Sequence, residues 1–371
     1  MPAARPARTD PASHLLSLLA HPEHAGELAP EAWDTTVRVA RSAKLLAALG
    51  RRIEAAGVLN RLPPSVRDHM RSARTMVRHT HKMADLELHR LAQVLEPLAV
   101  PVILLKGAAY LAQGLPFAAE RWMGDVDIMV PRARIGEVED ALRNAGWAME
   151  PMDAYDERYY REWTHEIPPL RYPGHPMRLD VHHSILQLTA RLKPDAEALL
   201  SASVPAPDGR FRLLCPEDQL LHASVHLFQD SDCANRLRDL VDIDGMVGHF
   251  SRNPGFAERL RSRVALHGLG RPLWYAMHFA ERLLGLSVPD NIWPETAPSA
   301  PLRALMDALV SRAIIPPDPD SLPTRATRFA RDLLFIRSHW LRMPPALLAR
   351  HLAVKGFGRL KSIRRESGNG R

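Results

Sequence analysis

The sequence predicts an α+β fold in which a small α/β unit sits between two helical regions. Three observations predict it. Apolar residues recur at helical spacing from Ala12 to about Leu98 and again beyond about Leu200. Between Pro101 and Ile185, short β-branched or alternating runs bounded by Pro and Gly replace that rhythm. The chain of 371 residues, 46% hydrophobic and 25% charged, is long and apolar enough to bury a substantial core. The expected organisation is a disordered Pro/Ala/Arg-rich N-terminus (1–10), an N-terminal helical region (11–98), an α/β core (99–200), a C-terminal helical region (201–349) and a basic segment (350–371).

Each element has a local reason. Leu15, Leu16, Leu18 and Leu19, then Leu45, Leu46 and Leu49, then Met83 through Leu95 mark apolar helix faces, punctuated by Pro22, Pro30 and Pro63-Pro64. Val102-Ile103-Leu104-Leu105 is an uninterrupted apolar run led by β-branched residues, the signature of a buried strand, and Ala108 to Leu115 follows as a helix. Asp125-Val126-Asp127-Ile128-Met129-Val130 alternates at its start and is stopped by Pro131. Arg132 to Gly146 is an amphipathic helix closed by a glycine. Glu166 to Leu170 and Arg178 to Ile185, joined through Pro173-Gly174-His175-Pro176, form an expected hairpin. Later helices are expected at 218–229, 236–250, 256–267, 271–284, 302–315 and 325–339.

Composition excludes several classes. No run of ~18 apolar residues is present, so no spanning helix and no membrane insertion are expected. The N-terminus has no apolar stretch of the secretory kind, and a cytoplasmic location is the expectation. Cys215 and Cys233 are too few for a disulfide framework and read as reduced thiols. The net charge of +7 comes almost entirely from arginine and reads as the codon bias of a GC-rich bacterial genome. The densest basic cluster is the segment 350–371.

The sharpest motif is Gly124-Asp125-Val126-Asp127. Residues i and i+2 of a strand share a face, about 7 Å apart, so Asp125 and Asp127 present two carboxylates side by side. Adjacent carboxylates repel and are costly to keep ionised unless a cation lies between them, and Mg²⁺ meets that need while keeping positions for water and phosphate oxygens. Asp180, flanked by apolar residues on a later strand, is a third carboxylate that converges on the pair if the two strands are neighbours; pairing with Arg178 or Arg171 at an edge strand is the alternative. Leu105-Lys106-Gly107 turns a strand into a helix, and such a turn offers backbone N–H groups and a cation to phosphates. It lacks the glycine spacing of a Walker A loop or a dinucleotide fingerprint.

Together these residues resemble the bacterial, largely uncharacterised nucleotidyltransferase family of the DNA polymerase β-like superfamily. The likeness rests on Leu105-Lys106-Gly107, Arg121, Gly124-Asp125-Val126-Asp127, Ala145-Gly146-Trp147, Leu179-Asp180-Val181-His182 and Leu237-Arg238-Asp239-Leu240, and spans about 100–245. It implies a small mixed sheet flanked by helices and a Mg²⁺-dependent transfer of a nucleoside monophosphate, AMP from ATP in the first instance. The acceptor is a hydroxyl or phosphate of an unidentified molecule, and pyrophosphate is released. Asp125, Asp127 and Asp180 would hold two Mg²⁺ ions, while Lys106, Gly107, Arg121 and Gly124 would contact the nucleotide. Where the superfamily turn carries Gly followed by Ser, this chain has Ala108.

Blander readings stand beside these. His182 shares the face of Asp180 and is either an acceptor-side residue or a packed histidine. Asp239 is either an acceptor-side residue or, with Asp242 and Asp244, part of a solvated helical face paired with Arg236 and Arg238. Core packing is the first reading of Tyr110 and Trp122. His182-His183 lie on opposite strand faces, and His222 and His226, one helical turn apart, lack the glutamate of a zinc-protease motif, so no transition-metal site is expected. The rival functions are a catalytically silent interaction protein on the same fold and an RNA-binding module that uses the basic tail.

Overall fold

The computed structural model describes residues 11–349. The expectations for 1–10 and 350–371 lie outside the described residues. Helices α1 (Pro11–Ala20), α2 (Pro30–Ser42), α3 (Leu46–Ala55) and the long α4 (Pro64–Leu95) come first. Prolines open α2 and α4, where the missing N–H costs no helical hydrogen bond.

The sheet follows. β1 (Ile103–Leu105) passes directly into α5 (Lys106–Ala112), then come β2 (Asp125–Met129), α6 (Ile135–Asn144), β3 (Ala148–Met149), α7 (Ala154–Trp163), β4 (Leu170–Arg171), β5 (Arg178–His182), α8 (Ala196–Ser201), β6 (Val204–Pro205) and β7 (Arg212–Leu213). The strand order is β3-β4-β5-β2-β1-β7-β6. β2 runs antiparallel to β1 and parallel to β5, and β1 runs parallel to β7, so the sheet is mixed. The chain then continues through α9 (Pro216–Val225), a π-helical turn (His226–Asp230), α10 (Leu237–Phe250), α11 (Phe256–His267), α12 (Gly270–Leu284), α13 (Ala300–Ala313) and α14 (Arg325–Arg342). A contiguous apolar core joins helices and sheet, from Leu15 of α1 through Ile103 and Val126 to Leu334 of α14. Among the described residues no helix is long and apolar enough to cross a membrane.

Several expectations change. The helix after β1 starts at Lys106 rather than Ala108, because Lys106 itself turns the chain with φ +46. The hairpin is present: Leu170 pairs with Leu179 and Glu166 bridges to His182. Its second strand stops at His182, however, with the His183 N–H donating a last bond across the hairpin to His165 O at 2.8 Å. β5 lies inside the sheet between β4 and β2, so Asp180 is not on an edge strand, although its expected pairing with Arg178 is present. The helix expected over 218–229 widens into the π turn at His226. Strands β3, β6 and β7 were not expected; each is two residues long and shows no periodicity to read.

Candidate active site

The register of two parallel strands builds the site. Asp127 lies opposite Asp180, Asp125 opposite Arg178 and Met129 opposite His182, so Asp125, Asp127, Arg178, Asp180 and His182 share one face of the sheet. On the other side of β2, Leu105 lies opposite Asp127, and the next residue, Lys106, sends Nζ to 2.7 Å from Asp127 Oδ1. The left-handed backbone at Lys106 costs a non-glycine residue about 1–2 kcal/mol, which the β1–α5 junction sustains. These side chains line a pocket of about 180 Å³, closed by His226 and Asp230 of the π turn and by Arg236, Arg238, Asp239 and Asp242 at α10. π-helical turns are often found at functional sites.

Charge is concentrated here. Asp127 is buried, accepts from Lys106 Nζ and lies 3.1 Å from His182 Nε2. Burial alone would raise its pKa, but Lys106 and His182 outweigh it and hold the carboxyl well below the usual carboxylate range. Burial would likewise discharge Lys106, and Asp127 reverses that and keeps the ammonium. His182 follows the same pattern, its pKa raised by Asp127 and Glu166 against burial. Asp180 behaves oppositely. Burial, then the charges of Asp127 and Glu166, push it up to about 7. It accepts from Arg178 Nη2 at 2.9 Å through Oδ2, while the buried Oδ1 has no hydrogen-bond partner. Two carboxylates side by side, one with an orphaned oxygen, fit a divalent cation.

That raised pKa has a measurable consequence in metal-free protein. The unfolded chain gives up the Asp180 proton near the ordinary value of about 4, whereas the folded chain keeps it to about 7. Wild type therefore loses stability relative to Asp180→Asn as pH rises through that window. Urea unfolding of chelator-treated protein at about pH 5 and about pH 8 measures the difference; a pH-independent difference would overturn the assignment.

The other expected nucleotide contacts are arranged differently. Arg121 is buried, and its Nε donates to Asp242 Oδ2 at 2.8 Å. Gly107 is packed beneath Arg121 rather than lining the pocket: a Cβ there would meet Arg121 Nη1 at 2.1 Å and Met123 Sδ at 2.6 Å. Gly124 is exposed beside Trp122 and is not part of the pocket wall. The solvated-face reading of α10 fails, because Asp239 and Asp242 are buried in the pocket wall and Asp244 is ion-paired with Arg52 of α3. Asp239 is held by Arg236 at 3.2 Å and Arg238 at 3.5 Å. Tyr110 is buried in the core, while half-buried Trp122 borders a neighbouring hollow with Arg41, Lys44 and His69. Cys215 and Cys233 are free thiols, and burial pushes both up to about 12.

Sequence reasoning missed His165, Glu166, His226, Asp230, Arg236 and Arg238 as pocket residues. Glu166 had one usable signal: a hairpin that pairs it with His182 puts both on the face of Asp180. His165, His226, Asp230 and Arg236 come from loops or from the π turn, and Arg238 from the first turn of α10, and the placement of these segments is not local.

A mixed sheet flanked by helices, a strand-turn-helix junction bearing Lys106 and paired aspartates on the neighbouring strands define a nucleotidyltransferase fold. The chain belongs to the family described as uncharacterised nucleotidyltransferase, whose profile matches residues 29–285. Two solved structures are similar at low identity. An antigenic nucleotidyltransferase-like protein from Paracoccidioides brasiliensis is 16% identical over 57% of this chain and 95% of its own, with a TM-score of 0.30. JHP933 from Helicobacter pylori is 17% identical over 69% of this chain and 94% of its own, with a TM-score of 0.27. No curated protein matches the chain.

Proposed function

We propose that this protein is a Mg²⁺-dependent nucleotidyltransferase that moves AMP from ATP onto a hydroxyl or phosphate of an acceptor. The observation that carries the reading is the Asp127–Asp180 pair in parallel register, with Asp125 two residues away on the same face. These three carboxylates would hold the metal. Bound there, Mg²⁺ supplies charge neutralisation at the attacking and leaving oxygens of an in-line displacement.

The chain's own groups do the rest. Lys106, Arg236 and Arg238 line the pocket with positive charge, and the triphosphate is assigned to them. The start of α5 contributes little, since that helix has only seven residues. Asp239, fixed by two arginines, and His182, fixed by Asp127, orient the acceptor. The acceptor oxygen forms a bond to the α-phosphorus, the bond to the β-phosphate oxygen breaks, and pyrophosphate departs. The hollow beside Trp122 carries Arg41, Lys44 and His69 without a carboxylate in its wall, which suits an acidic acceptor.

Incubation with α-labelled and γ-labelled ATP, Mg²⁺ and candidate acceptors tests the reading. Label transferred from the α-position alone, with pyrophosphate released, is the expected result. Absence of Mg²⁺-dependent ATP binding in calorimetry would leave the silent-scaffold reading in its place.

A further inference from the structure

Beside the carboxylates lies a second group of ligand-type atoms, and two of its three residues, His165 and Glu166, have no part in the proposed transfer. His165 and Glu166 follow α7, and Glu166 bridges to His182 at the end of β5, so the hairpin places all three at the wall of the pocket. One ligand atom from each lies within 4.8 Å of the others. The imidazoles of His165 and His182 are 5.1 Å apart, centre to centre.

The hydrogen bonding indicates what these atoms await. His165 is 7% exposed and His182 2% exposed, yet Nδ1 of each has no hydrogen-bond partner. A buried polar nitrogen without a partner is costly, and two of them bordering one carboxylate is a pattern that needs an occupant. His182 Nδ1 lies 3.3 Å from Glu166 Oε2, at ion-pair distance but without a hydrogen bond between them. Ligands ~2.0–2.1 Å from a tetrahedral Zn²⁺ are separated by about 3.3–3.4 Å. The opposite ring nitrogen of His182 is 3.1 Å from Asp127 Oδ1, the carboxylate–histidine arrangement in which the ring binds a metal through Nδ1 once that nitrogen gives up its proton.

We infer that His165, Glu166 and His182 form a second metal site, selective for a borderline ion such as Zn²⁺ and distinct from the carboxylate site for Mg²⁺. Two imidazoles and one carboxylate match the ligand set of open zinc sites, which keep a position for water or substrate. Mg²⁺ prefers oxygen ligands and does not compete well for two imidazoles. The sequence reading expected no transition-metal site because it considered only histidines close in sequence, whereas these ligands meet through a hairpin.

The test uses full-length, chelator-treated protein and Co²⁺ as a spectroscopic substitute for Zn²⁺, with excess Mg²⁺ present to fill the carboxylate site. One equivalent of Co²⁺ is expected to give visible ligand-field bands, unchanged in Asp125→Asn. In His165→Ala the affinity should fall at least as far as the ~10–100-fold that second-shell changes cost. If that variant does not fold, Glu166→Gln should show the same loss. Absence of bands in the wild type, their persistence in every folded ligand variant, or their loss in Asp125→Asn would overturn the proposal. No nucleotide enters this measurement, so its outcome is independent of whether nucleotidyl transfer is found.

Discussion

Asp127→Ala is expected to abolish Mg²⁺-dependent turnover and to destabilise the fold at the same time. A buried ammonium, Lys106 at 2.7 Å, and a buried imidazole, His182 at 3.1 Å, depend on this carboxylate. Removing one member of a buried charge pair leaves the other uncompensated and typically costs about 3–5 kcal/mol. Turnover should fall by at least ~10³-fold, the upper range seen when a preorganised charge is deleted from an active site. The two effects separate in the double variant Asp127→Ala with Lys106→Met. Methionine keeps the aliphatic stem without the charge, so most of the lost stability should return while activity stays absent. Turnover at the wild-type level in a folded Asp127→Ala protein would refute the assigned site.

The second large effect is expected at the α10 wall of the pocket. Asp242→Ala breaks a buried ion pair in which each side chain is only 8% exposed, stranding the Arg121 guanidinium beneath α5. A loss of about 3–5 kcal/mol is expected by the same reasoning, read as a shift in the urea midpoint at constant slope. Arg121→Met combined with Asp242→Leu should recover much of it, since apolar replacement of a whole buried pair is often neutral. Gly107→Ala belongs to the same unit. Its methyl would occupy the space of the guanidinium, and overpacking of this kind costs about 1–3 kcal/mol. A midpoint unmoved in Asp242→Ala would mean that Arg121 is not held by this pair.

Both predictions rest on residues whose type was conspicuous in the sequence but whose partners were not. Asp125 and Asp127 stood out because charge at i and i+2 heads an otherwise apolar strand, and β2 runs over those residues. Ile103 to Leu105 and the helix from Ile135 were legible for the same reason: periodicity and turn residues act within a few positions. The solvated-face reading misplaced Asp242, because an aspartate on a helix is ordinarily solvated and nothing near it announces that Arg121 will be buried against it. Arg121, an expected nucleotide contact, lines the pocket with its Nε held by Asp242. Glu166 and His165 were passed over because the bridge from Glu166 to His182 crosses a hairpin whose strand β4 is two residues long.

What the sequence by itself determined was most of the helices, the longer strands and the acidic character of one strand face: helices from 3.6-residue periodicity, strands from short β-branched runs, and two carboxylates on one face from Asp125 and Asp127 at i and i+2. Each is encoded by neighbours along the chain, through backbone sterics and the pairing of adjacent charges. Only the tertiary structure decided the rest. It set Asp180 beside Asp127 on an interior strand, gave Lys106 to Asp127 and Arg121 to Asp242, and turned the wall of α10 inward. Those choices depend on strand register and on which buried charges find partners. The cost of an unpaired buried charge is settled only when distant segments meet.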